Sequence, residues 1–194
     1  MIRDRNLART WRLGLIGGNI KASRSPVLHT VCALAAGGNA SYDLLIPDEF
    51  GMSFPEMVEH CRSAGFDGVN VTYPYKEEAA VLIAAGDPLV TAMGSSNTLR
   101  FTSEGPRAFN TDYTGFVSAF RARFPDSAPG RTLVLGTGGV GRAVVFGLAA
   151  LGASEILLHD TDLAKVASLS AAVRAQLPGI RVGAADGGTI ETLN

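Results

Sequence analysis

Short apolar runs alternate along the chain with stretches of helical spacing. "WRLGLIG" (11–17), "YDLLIP" (42–47) and "GVNVT" (68–72) are apolar runs of strand length. Helical signals fall between them. Ser25-Pro26 reads as a helix start, with serine as N-cap and proline at the first helical position, and Gly37-Gly38 reads as its stop. Ser53 and Glu56 have capping-box spacing for a helix ending at Gly65. "KEEAAVLIAAG" predicts a helix from Lys76, and "NTLRF" and "RAFN", separated by "TSEGP", predict a hairpin over 97–110. A helix over about 113–123 leads into "FPDSAPG" (124–130), the most linker-like stretch. A strand–glycine turn–helix unit follows in "RTLVLGTGGVGRAVVFGLAALG", then a strand in "SEILLHD", a helix over 162–177 and a third strand in "IRVGAA".

This alternation predicts an α/β fold with largely parallel sheets. The chain reads as two domains, 1–112 and 113–194, with the boundary region near 110–130. Composition narrows the function classes. Hydrophobic residues make up 46% and charged residues 18%, which suits a globular protein with a core, and the formal net charge of −1 gives no electrostatic case for nucleic acid or an anionic membrane. No apolar run reaches bilayer-spanning length and no secretory signal opens the chain, so a cytoplasmic location is expected. Cys32 and Cys61 lack metal-type spacing and are expected to be buried, reduced thiols. The three histidines are scattered, so no metal site is expected.

Two constellations carry candidate chemistry. "GTGGVG" (136–141) fits G-x-G-x-x-G between a strand and a helix. Gly136 suits the tight turn, Gly138 close approach to a pyrophosphate and Gly141 helix–strand packing; Thr137, Gly139 and Val140 complete the turn, and its amides suit phosphates. Asp160 ends the next strand, 19 residues after Gly141, where a carboxylate accepts hydrogen bonds from the ribose of NAD. Its charge would repel the 2′-phosphate of NADP, and Thr161 and Asp162 are not basic, so NAD is favoured. The alternative makes Asp160 the cap of the following helix.

Upstream, strand period sets Asn70 and Thr72 on one face and Val69 and Val71 on the other. Lys76 follows at a predicted helix start, where the dipole makes a cation poorly placed. A solvated strand edge and a surface lysine are the plain alternatives. Ser23 and Ser25 add two hydroxyls in the loop after the first strand, Ser25 being a simple cap in the alternative reading. Asn97 and Asp112 lie in other loops. Together these groups suit a small polyhydroxylated acid.

With these residues together, the chain resembles the shikimate/quinate dehydrogenase family through "GLIGGNIKASRSPVLH", "GFDGVNVTYPYK", "GSSNT", "FNTDYTGF" and "GTGGVGRA". The resemblance implies an N-terminal substrate domain, a C-terminal Rossmann-like dinucleotide-binding domain and a cleft between them. It implies that Ser23 and Ser25 hold the substrate carboxylate, that Asn70, Thr72, Asn97 and Asp112 contact ring hydroxyls, and that Lys76 and Asp112 are the catalytic pair. The implied reaction is reversible, NAD(P)-dependent oxidation of shikimate to 3-dehydroshikimate, or of quinate to 3-dehydroquinate, in a monomer or homodimer.

Four departures from the family pattern refine this. "DTD" (160–162) stands where many NADP-using members have Asn-Arg-Thr. Thr30 follows His29 where asparagine is frequent, and "GSSNT" replaces the commoner Gly-Ala-Val-Asn-Thr. Family members also extend further, so the part that completes the nucleotide sheet, supplies a substrate-contacting glutamine and returns a helix to the first domain is expected to be missing. In the family, threonine at the Ser25 position accompanies quinate preference, so Ser25 leans toward shikimate. A non-catalytic ligand sensor on the same fold is the alternative of another class, and retention of Lys76 and Asp112 speaks against it.

Overall fold

The computed structural model describes residues 9–83 and 87–185. The described residues form two compact units, one within Met1–Ala85 and Asn97–Phe109, the other within Gly86–Ser96 and Asn110–Asn194. The linker-like 124–130 lies inside the second unit.

In the first unit, the alternation of apolar residues becomes a five-stranded sheet. Its strands are β1 (Thr10–Ile16), β2 (Asn39–Leu45), β3 (Gly68–Val71), β4 (Thr98–Thr102) and β5 (Gly105–Phe109), in the order β2-β1-β3-β4-β5. The first three are parallel, and the β4–β5 hairpin adds to β3 antiparallel. The strands of the hairpin reach further into "TSEGP" than the sequence predicts, because Thr102 pairs with Gly105 and leaves Ser103-Glu104 as the turn. On one sheet face Val69, Leu99 and Ala108 stand opposite one another across β3, β4 and β5, all buried, with Ile16 and Val71 paired on the same side. Helix α3 (Phe54–Ser63) packs against β3 and buries Phe54, Met57, Val58 and Cys61. It begins with the predicted capping box: the Glu56 carboxylate accepts from Ser53 N at 2.8 Å while Ser53 caps Glu56 N.

The opposite face carries Leu13, Leu15, Tyr42, Leu44, Asn70 and Thr98 by register. Helix α1 (Ser25–Ala35) packs on its β2 edge, where His29 stacks on Tyr42 with ring centroids 4.8 Å apart. Two expectations need correction here. The N-cap of α1 is Arg24 and makes no side-chain cap bond, so Ser25 is a helical residue rather than the cap. Its hydroxyl is turned to other polar groups instead. Cys32 is exposed, beside the exposed Val27, Leu28, Val31 and Leu34, because α1 buries little beyond Ala33. Cys61 is buried as expected, which pushes its thiol up to about 12.

β2 also differs from its predicted span: it starts earlier, at Asn39, and stops at Leu45. Pro47 has no N–H to donate and instead begins the short α2 (Pro47–Phe50). β3 ends at Val71, one residue short of the predicted Thr72. Helix α4 is Lys76–Leu82; the rest of its predicted span over 84–86 lies outside the described residues.

The second unit holds a three-stranded, all-parallel sheet in the order β6-β7-β8, with β6 (Arg131–Leu135), β7 (Glu155–His159) and β8 (Arg181–Ala184). The crossovers are α7 (Gly139–Ala150) and α8 (Leu163–Gln176). Val145, Phe146, Ile156, Leu158, Leu169 and Val173 form its core, with Met93 of α5 (Pro88–Met93) packed among them. Helix α6 (Thr111–Arg123) lies against α7, and Gly147 permits the approach: a Cβ there would meet Phe116 Cδ1 at 2.6 Å. Among the described residues no helix is long and apolar enough to cross a membrane.

Leu99 is fully buried between β3 and β5. Leu99→Ala should cost about 2–5 kcal/mol, read in urea as a lower midpoint at unchanged slope.

Candidate active site

In the first unit the predicted polar residues of the sheet tip form a hydrogen-bonded run. Ser23 Oγ donates to Ser25 Oγ at 3.1 Å and accepts from Ser25 N at 3.2 Å. Ser25 hydrogen-bonds Tyr42, whose Oη donates to Asn70 Oδ1 at 2.8 Å. Asn70 Nδ2 donates to Thr98 Oγ1 at 3.3 Å, and Thr98 Oγ1 donates to Asn97 Oδ1 at 2.9 Å. Four predicted residues, Ser23, Ser25, Asn70 and Asn97, are thus joined through two that sequence reasoning missed, Tyr42 and Thr98. His29, also missed, hydrogen-bonds Asn70. Burial pushes the Tyr42 phenol up to about 12, so it is a neutral donor at physiological pH. Burial also lowers the His29 pKa, against the opposing bond to Asn70.

Beyond β3 the chain turns at Thr72. The Thr72 amide donates to the Ile16 carbonyl at 2.9 Å, and its own carbonyl accepts from Tyr75 N at 2.9 Å. Tyr75 stacks on Phe54 at 5.0 Å, and the turn delivers Lys76, half-buried, to the first position of α4.

Asp112 belongs to the second unit, in the first turn of α6, where the helix dipole favours a carboxylate. Asn110 caps that helix: its Oδ1 accepts from Tyr113 N at 3.0 Å and its Nδ2 donates to the Ser95 carbonyl at 2.9 Å. Ser95 Oγ in turn donates to the Gly139 carbonyl at 2.9 Å. An asparagine ahead of a helical stretch is a cap signal that "FNTDY" contains; nothing in the sequence pairs Ser95 with Gly139.

The glycine turn follows β6. Gly136 has φ of +90°, which favours glycine, and its amide donates to the His159 carbonyl at 2.8 Å. A Cβ on Gly141 would overlap the Gly136 carbonyl, so strand and helix approach as closely as the motif predicts. Gly138 is the N-cap of α7 and makes no side-chain cap bond, and a Cβ on Gly138 would meet open space. First-turn amides without a capping side chain, in an uncrowded setting, fit a dinucleotide pyrophosphate.

Asp160 and Asp162 have separate tasks. Asp162 caps α8, its Oδ1 accepting from Ala164 N at 3.0 Å and Lys165 N at 3.3 Å. Asp160 grips the turn: its Oδ2 accepts from Thr137 N at 2.6 Å and Thr137 Oγ1 at 2.8 Å, and its Oδ1 from Asp162 N at 3.0 Å and Thr161 Oγ1 at 3.4 Å. The Asp162 amide first, then Thr137, hold the Asp160 carboxyl well below the usual range. Thr137 is fully buried and Val140 exposed.

Comparison with known proteins bears on these residues. Residues 15–99 match the family described as the shikimate dehydrogenase substrate binding domain. The chain is 33% identical over 169 residues to a quinate/shikimate dehydrogenase (NAD(+)) of Corynebacterium efficiens, covering 85% of this chain and 60% of that protein. It is 34% identical to a shikimate dehydrogenase (NADP(+)) of Streptomyces avermitilis, covering 95% of this chain and 64% of the relative. The solved structure of quinate dehydrogenase from Corynebacterium glutamicum in complex with NAD superposes with a TM-score of 0.84 at 27% identity, covering 95% of this chain and 67% of that one. The chain therefore spans somewhat under two thirds of these curated relatives, and its α/β fold is theirs.

A depressed carboxyl pKa in the folded state adds stability above the ordinary value of 3.8 that is lost as pH falls toward the folded value. Asp160→Ala should therefore lower the melting temperature at pH 7, and its deficit against the unaltered chain should shrink steadily below about pH 4, followed by circular dichroism melts across pH.

Proposed function

We propose, from the membership of residues 15–99 in the shikimate dehydrogenase substrate-binding family, that this chain carries the substrate and dinucleotide machinery of an NAD-linked shikimate dehydrogenase. The observation that carries the reading is the run Ser23–Ser25–Tyr42–Asn70–Thr98–Asn97. A continuous hydrogen-bonded row holds hydroxyls and amides in fixed orientations, which is what reading several ring hydroxyls of one small acid requires. In this reading Ser23 and Ser25 bind the carboxylate, and Asn70, Thr72 and Asn97 bind ring hydroxyls.

Lys76 and Asp112 are the proposed catalytic pair. Lys76 Nζ takes the proton of the reacting hydroxyl and returns it in the reverse direction, while the Asp112 carboxylate accepts a hydrogen bond from the neighbouring hydroxyl. The bound nicotinamide supplies the hydride acceptor. Gly136, Thr137, Gly138, Gly139, Val140 and Gly141 form its pyrophosphate turn in this reading.

Asp160 supports NAD over NADP. Its charge opposes a 2′-phosphate, and the bond it receives from Thr161 Oγ1, the longest of its four at 3.4 Å, is the one a ribose hydroxyl would replace. Ser25, rather than threonine, favours shikimate over quinate. Relatives of both cofactor types match the chain, so the assay must offer both.

The test is reduction of NAD and of NADP by the chain with shikimate and with quinate. NAD with shikimate should give the highest kcat/KM. Lys76→Ala should reduce kcat by about 10²–10⁴-fold and leave the NADH dissociation constant unchanged; undiminished turnover would remove Lys76 from its role. Failure of both cofactors with both acids, with shikimate still bound, would favour a ligand-sensing module.

A further inference from the structure

A turn rich in glycine has the most backbone freedom to lose on becoming ordered, so something outside it must hold it still. One anchor is the Asp160 carboxylate on Thr137, at the β7 side. A second comes from the segment that follows α5. Ser95, fully buried, donates from Oγ to the carbonyl of Gly139, the first residue of α7. The same segment is gripped from α7 a second time, where Arg142 Nη1 donates to the Met93 carbonyl at 3.0 Å. Gly94 lies between these bonds with φ of +64°, and a Cβ there would press on Arg142 Nη1 at 3.2 Å. Behind Ser95, the buried Asn110 donates to its carbonyl and caps α6.

We propose that Ser95 is a positioning residue that fixes the glycine turn for the dinucleotide and ties it to the start of the helix bearing Asp112. The proposal rests on the nucleotide reading given above. It is a property of this chain's "GSSNT", because the alanine of the commoner Gly-Ala-Val-Asn-Thr has no hydroxyl to donate. The Oγ–carbonyl bond acts before any ligand arrives. It lowers the ordering cost of the turn, so its loss appears as weaker dinucleotide binding more than as a less stable fold. Ser170 is the natural control: its hydroxyl is likewise buried, on α8, and has no hydrogen-bond partner.

NADH binding to the purified chain, followed by nicotinamide fluorescence, and thermal unfolding are measured together for the unaltered chain, Ser95→Ala and Ser170→Ala. Ser95→Ala should raise the NADH dissociation constant about 3- to 10-fold with little change in melting temperature, since one net hydrogen bond is at stake. Ser170→Ala should leave NADH affinity unchanged. Equal affinity in Ser95→Ala and the unaltered chain would overturn the proposal. So would a loss of affinity in both variants that tracks their loss of stability, since that is a purely structural effect. An unaltered chain that binds no NADH would instead overturn the nucleotide reading, and the proposal with it.

Discussion

A polar side chain on a mostly apolar sheet face must find partners or cost the fold several kcal/mol, and Asn70 is where this constraint acts. By register it stands next to Leu15, on the face that also carries Leu13 and Leu44. Its amide is satisfied by Tyr42 from β2, by Thr98 from β4 and by His29 from α1. The stack of His29 on Tyr42 and the bond between Tyr42 and Ser25 follow from that demand. The polar tip of the sheet is thus a consequence of placing one amide among leucines and giving both its oxygen and its nitrogen a partner.

The second unit solves a different problem. Gly141 must lack a side chain for β6 and α7 to meet, and Gly138, as N-cap without a side chain, leaves the helix start uncovered. Both features loosen the backbone. The compensation comes from carboxylate and hydroxyl anchors, Asp160 on one side and Ser95 on the other. Asp160 therefore has a structural duty as well as its expected one toward ribose. A substitution made there to alter cofactor preference also removes a support of the turn.

Much of this was legible in the sequence because it depends on local signals. The Ser53–Glu56 capping box, the glycine turn, the Val69/Val71 alternation and the hairpin are each set within a few residues. Helix α5 has such signals too, with Asp87 capping Leu89 N at 2.9 Å, Pro88 at the start and Gly94 at the end, but its six residues are too few for an apolar periodicity to show. Ser25 was misread as a cap because serine before proline suits that role equally well, and only the position of Tyr42 decides between the two uses. Cys32 was misread because burial of α1 depends on what covers it, which residue type does not specify. Tyr42, His29 and Ser95 act across separations of 28 to 44 residues, beyond any local pattern.

The parallel sheet of the second unit has one more consequence. Among the described residues β6 is bonded to β7 alone, so its other side is an edge, and Leu135 near its tip is 69% exposed. Its charge is concentrated at the opposite end, where Arg131 pairs with Glu155 at 2.7 Å. Sheet edges without protective charge or a bulge recruit further strands. Among the described residues β8 is the other edge of this sheet, and the β6 edge differs from it in carrying an exposed apolar residue, Leu135, at its tip, where a further strand would meet the least opposing charge.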